Sequence, residues 1–304
     1  MVEPEHVRWI RRPQLRRPHI IAAFTGWNDA ADAASSSVRH LVEYMGAAPL
    51  AEIEPEEFTN FETTRPHVRL TDTAARQIIW PTVSMWTVSD ENAENDLILI
   101  LGPEPSFRWK LFVEQVLGVA RYYHASSIVT LGALLADVPH RQPTPILGTA
   151  VDQELIDRHD LQRSRYEGPT GIVGVMNDMA NRAGFAAVSL WAAIPAYAQQ
   201  VPSPKASAAL IERLSEIVGC DAPTATLEAR TERYEQQIDD LIDNDPTLSR
   251  YVERLESLDS DDDDDDEGFD YVDDDDDEIP VDEDLDSESL MKEIEGFLRG
   301  QSDD

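Results

Sequence analysis

Apolar residues first gather in an unbroken run over residues 19–24, HIIAAF, the pattern of a strand covered on both faces. In the eighteen residues from Asp29, DAADAASSSVRHLVEYMG, positions Ala31, Ala34, Val38, Leu41, Val42 and Met45 recur near helical spacing, and Gly46 stands where a helix would be capped. A strand, a turn and a helix are therefore predicted. Residues 50–53 give a second short strand. Residues 68–70, 77–80 and 83–88 are rich in β-branched and aromatic side chains and predict a small antiparallel excursion.

The strand–turn–helix pattern returns with a strand at residues 96–101, the turn GPEP and a helix over about 106–123, with Ser106 as its N-cap. Residues 127–131 predict another strand, followed by the long connection GALLADVPHRQPTPILG. A short helix at 151–160, the turn YEGPTG, a helix at 172–182, a buried strand at 186–193 and a helix at 204–218 complete the series. This alternation predicts an α/β domain over residues 1–222, a three-layer αβα sandwich with a mostly parallel sheet. Leu227, Tyr234, Ile238, Leu241 and Ile242 then recur at helical spacing, so residues 223–258 predict a helical hairpin packed on that domain.

Charge changes the picture after that point. Of 60 acidic and 25 basic residues in 304, residues 259–304 hold 24 acidic and 2 basic, net −22, which leaves residues 1–258 at −13. Carboxylates packed as in SDDDDDDEG cannot bury a core, so residues 259–288 are expected to form a disordered acidic linker. Residues 289–300 recover helical spacing, with Leu290, Ile294, Phe297 and Leu298 on one face. That helix either docks on its own body or is offered to a partner's groove. Net charge of this sign argues against nucleic acid and anionic lipid as partners. One cysteine excludes an internal disulfide, and neither a signal-peptide-like start nor a bilayer-length apolar stretch is found, so the expected location is the cytoplasm.

In an open parallel sheet, ligands bind along the edge where strands end at their carboxyl termini. The turns expected there, TGWNDA, GPEPSFRW, GALLADVPH and YEGPTG, supply Gly26, Trp27, Asn28, Asp29, Glu104, Arg108, Asp137, His140, Glu167 and Thr170 as a candidate crevice. Each has a plainer use. Asn28 or Asp29 suits a helix cap, Arg108 an ion pair with Glu104, and Trp27 a lid over the core. His140, in a long loop, is the best-placed histidine for general-base work. The dinucleotide, P-loop, nucleophile-elbow and zinc-protease signatures are all missing, and no metal or cofactor is implied.

With TGWNDAADAA, LGPEPSFRWKLF, TLGALLADVPH, YEGPTGIVG, SLWAAIPAY and PSPKASAALI in this order, the chain resembles the proteasome assembly chaperone 2 family, in its bacterial branch from high-GC lineages. The resemblance covers about residues 7–220. It implies a phosphorylase/hydrolase-like αβα sandwich, protein partners that include proteasome subunits, and a homo-oligomer for which a trimer is one option. Some relatives dock through a hydrophobic–tyrosine–any-residue terminus, whereas this chain reads Gly-Gln-Ser-Asp-Asp there. A carboxylate–amine ligase label attached to related sequences asks for cations at the crevice. Only Arg108 is expected there, because Lys110 falls inside a helix and Lys205 on a distant turn. The residues lean toward a non-catalytic adaptor and leave open an enzyme or small-molecule sensor at the crevice.

Overall fold

Strand β2, His19–Thr25, lies at the centre of an eight-stranded sheet in a computed structural model that describes residues 4–71, 75–89 and 93–259. Its neighbours are β7, Leu97–Pro103, on one side and β8, Ser127–Ala136, on the other, both parallel to it. Beyond β8 come β10, Ala186–Pro195, in parallel, and β9, Ile146–Ala150, in the opposite sense. On the other flank β6, Val83–Val88, β3, Ala48–Ile53, and β1, Val7–Trp9, continue antiparallel. A parallel core is thus bordered by antiparallel strands.

The continuous apolar runs follow from helices on both faces. Ile21, Ala23, Leu99, Val129 and Leu190 pack beneath α1, Ala33–Tyr44, and α5, Pro204–Val218. Ile20, Ala22, Phe24, Ile98 and Ile100 face α2, Trp109–Tyr122, and α4, Ile172–Arg182. On this second face Phe24, Phe112 and Phe58 meet edge to face at 5.7 and 5.5 Å, contacts worth about 1 kcal/mol each beyond the area they bury.

Three departures from the sequence reading bear on the site. The segment GALLA is strand, because β8 pairs along its whole length with β10, from Ser127↔Ala186 to Ala136↔Pro195. Helix α2 begins at Trp109 with Arg108 at the N-cap. Ser106 is used elsewhere: its N–H donates to Phe58 O at 2.7 Å and its Oγ accepts from Asn60 N at 3.1 Å. The predicted excursion divides: β6 joins the main sheet, while β4, His67–Leu70, and β5, Arg76–Ile79, form a separate two-stranded sheet with every residue exposed. After α5, the helices α6, Ala225–Asp243, and α7, Pro246–Asp259, follow in sequence. The described residues fall in one compact unit, Met1–Asp270. The predicted linker beyond residue 259 and the terminal helix lie outside the described residues.

Candidate functional site

The chain leaves β2 through α1 toward β3, and leaves β7 through α2 toward β8 on the opposite side of β2. That reversal of direction puts the switch point of the fold, where ligands bind in open α/β sheets, at the carboxyl ends of these parallel strands. Gly26, with φ of 127°, turns the chain there in a conformation that side chains rarely adopt, and Glu104 N donates to Thr25 O at 2.9 Å to hold the second turn against the first. Asn28 O accepts from Ala133 N at 2.8 Å and joins the β2 turn to β8.

Asn28 and Glu104 meet at this edge. Asn28 Nδ2 donates to Glu104 Oε1 at 2.8 Å, and the same oxygen accepts from Ile172 N at 2.7 Å at the start of α4. One carboxylate oxygen therefore ties together the ends of β2 and β7 and a helix N-terminus, where the helix dipole favours negative charge. Gly171, the α4 N-cap, makes this approach feasible: a Cβ there would lie 2.2 Å from Asn28 Nδ2. Asn28 Oδ1 remains buried and unpartnered.

Asp29 does the capping. Its Oδ1 accepts from Ser35 N at 2.9 Å, in the first turn of α1, from three residues before the formal cap position at Asp32. Burial pushes the Asp29 pKa up, against the pull of the Ser35 hydrogen bonds, and Oδ2 has no partner. Ala31, Asp32 and Arg108 all adopt left-handed backbone at φ of 50°, 52° and 54°. Each costs on the order of 1 kcal/mol, and all three lie in turns at this edge.

The other predicted residues are dispersed. Trp27 is half exposed at the crevice rim, and Glu167 and Thr170 sit on the exposed turn before α4. Arg108 pairs with Glu57 rather than with Glu104, since the left-handed cap turns it toward the Pro55–Glu57 turn. Asp137 accepts from Tyr251 Oη of α7. His140 is buried. Its Nδ1 lies 3.1 Å from Tyr197 Oη and its Nε2 3.0 Å from Asp239 Oδ1 of α6, and Arg141 reaches the other Asp239 oxygen at 2.7 Å. Lys205 donates to His140 O at 2.8 Å and to Glu235 Oε1 at 2.6 Å. Asp137 and His140 thus serve the seat of α6 and α7, a second cluster on the same edge. Burial raises the pKa of both Tyr197 and Tyr251, which keeps their hydroxyls protonated as donors.

Sequence reading missed Gly171 as a site residue and the set Tyr197, Asp239 and Tyr251. Gly171 was visible as the last residue of YEGPTG, just before a helix. Asp239 lies 99 residues from His140, and local spacing carries no trace of that pairing. Among the described residues no group of three or more histidine, cysteine or acidic side chains is placed to hold a metal, and no helix is long and apolar enough to cross a membrane.

Comparison with known proteins adds to this geometry. The model of the PAC2 family matches residues 23–242. A PAC2 family protein from Streptomyces avermitilis is 39% identical, covering 77% of this chain and 99% of its own, with a TM-score of 0.71. A Mycobacterium tuberculosis proteasome-assembly chaperone homologue is 38% identical over the same shares, with a TM-score of 0.70. A Pyrococcus furiosus archaeal proteasome activator shares the fold at 15% identity, covering 77% of this chain and 97% of its own, with a TM-score of 0.64. No curated protein matches.

Proposed function

The chain belongs to the PAC2 family, and from that premise we propose that it is a non-catalytic assembly factor or adaptor whose partners are proteins, proteasome subunits first among them. The observation that carries this reading is the fate of Glu104. The best-placed acid at the crevice is a joint between three elements, held by Asn28 and the α4 backbone, and the best-placed histidine is engaged by Tyr197 and Asp239. The His140 side chain is 1% exposed and both its ring nitrogens are engaged within the protein, which leaves neither nitrogen free for a substrate's proton. The 38% identical M. tuberculosis protein, named a proteasome-assembly chaperone homologue, supports the choice of partner.

In this reading the chain is a cytoplasmic homo-oligomer. Its acidic segment carries Leu290, Ile294, Phe297 and Leu298 to a partner's groove. Quantitative affinity purification from native cytosol, full chain against residues 1–258, tests it. A defined complex, proteasome subunits included, is expected with the full chain and not with the truncation. Equal enrichment by both removes the tail from the account, and enrichment by neither removes the adaptor.

Two buried acceptors without partners, Asn28 Oδ1 and Asp29 Oδ2, favour a second reading in which the crevice holds a small polar donor and the protein is a sensor. A metabolite and nucleotide screen by thermal shift, repeated with Asp29→Ala, decides it. A shift confined to the wild type supports the sensor, and no shift rejects it.

A further inference from the structure

The β4–β5 sheet stands exposed on both strands, and its pairing Val68↔Ile78 and Leu70↔Arg76 sets Val68, Leu70 and Ile78 on one face with Arg76 at its end, and Trp80 continues the alternation. These four side chains are 54%, 65%, 54% and 46% exposed. A two-stranded sheet is marginal in water without something to cover its apolar face. Its base is anchored, since Trp80 packs edge to face on Phe61 at 5.1 Å. Its charge is also against the grain of the molecule. Residues 65–80 hold three arginines and one aspartate, net +2, so the remainder of residues 1–258, at −13 in all, carries −15.

We propose that this hairpin is an arm that docks on a second copy of the chain, at the rim of the carboxyl-edge crevice around Trp27 and Phe107. The proposal gives a surface to the homo-oligomer of the assembly-factor reading and rests on that part of it. Three observations select this occupant. The hairpin is basic and apolar, and the rest of the body is acidic, so charge draws the arm to a neighbouring copy. Trp27 and Phe107, 50% and 51% exposed, offer an apolar counterpart on that acidic body. Symmetric pairing of hairpin with hairpin would bring two arms of net +2 together, and like charges repel. The arm therefore meets a different surface from its own, and contacts of this kind form a head-to-tail ring or a two-fold pair that exchanges arms.

Light scattering on the purified full chain reads the assembly without any other partner, so its outcome is separate from the test of the adaptor role. The wild type is expected as a closed oligomer of two or more copies. The arm variant Leu70→Asp/Ile78→Asp and the rim variant Trp27→Ala/Phe107→Ala are each expected as monomers with unchanged circular dichroism. An equimolar mixture of the two retains one intact interface and is expected as a 1:1 dimer. The milder Arg65→Glu/Arg69→Glu variant leaves Val68, Leu70 and Ile78 in place and is expected to assemble at least tenfold more weakly. A monomeric wild type, or an arm variant that assembles like the wild type, would overturn the proposal.

Discussion

Asn28 shows how much a single residue is asked to do. Its backbone carbonyl holds β8, its side-chain amide nitrogen holds Glu104, and Gly171 leaves it room. Gly171→Ala should therefore overpack the crevice and cost about 1–3 kcal/mol in urea denaturation. In a cycle with Asn28→Ala, the two changes should couple by at least about 0.5 kcal/mol, and simple additivity would deny the contact. Asp29 makes a pH prediction. Its unfolded carboxyl titrates near 3.8 and the folded one higher, so its contribution to stability is full below 3.8 and is lost as pH rises through the folded value. Asp29→Asn keeps the acceptor for Ser35 and removes the charge, so its melting temperature should match the wild type below pH 4 and exceed it at pH 7. A gap that is constant with pH would refute this assignment. The sequence placed Asn28 and Asp29 at the right turn, since a glycine and short polar residues after an apolar run mark a strand-to-helix crossing. Which of the two caps and which bridges depends on Glu104, 76 residues from Asn28.

Among the elements, those with strong periodicity were legible: β2, α1, α4, α5 and α6 lie where the hydrophobic spacing put them. Elements fixed by distant partners were not. The carboxyl half of β8 was read as a connection because Gly132 and the stretch DVPHRQPTP from Asp137 onward look like a loop, whereas a full-length partner in β10 makes it strand. Ser106 looked like a cap, yet Phe58 and Asn60 claim it. The helical pair after α5 is fastened by side chains that no local pattern joins. Asp239→Ala leaves His140 and Arg141 without their shared acceptor and should cost about 1–3 kcal/mol. Hydrogen exchange should then quicken in α6 and α7 while β2 and β7 stay protected. Equal loosening throughout would mean that these helices and the sheet unfold as one unit.

At the scale of the whole molecule, the αβα layering was readable from composition and alternation, because strands buried on both faces leave unbroken apolar runs. The candidate site was readable only in part. The turns were named correctly, but the crevice holds Gly26, Asn28, Asp29 and Glu104, while Asp137 and His140 belong to the seat of α6 and α7 and Arg108 turns to Glu57. What the scaffold presents outward is a rim and an arm of exposed aromatic and aliphatic side chains on an acidic body, a surface suited to protein contact. The most direct test mixes the purified full chain with purified proteasome α-subunits of the same organism and follows the products by native mass spectrometry. The account predicts a complex of defined stoichiometry that precedes, and then leaves, the mature particle. Assembly at the same rate and through the same species with and without the chain, and no complex at any time, would contradict it.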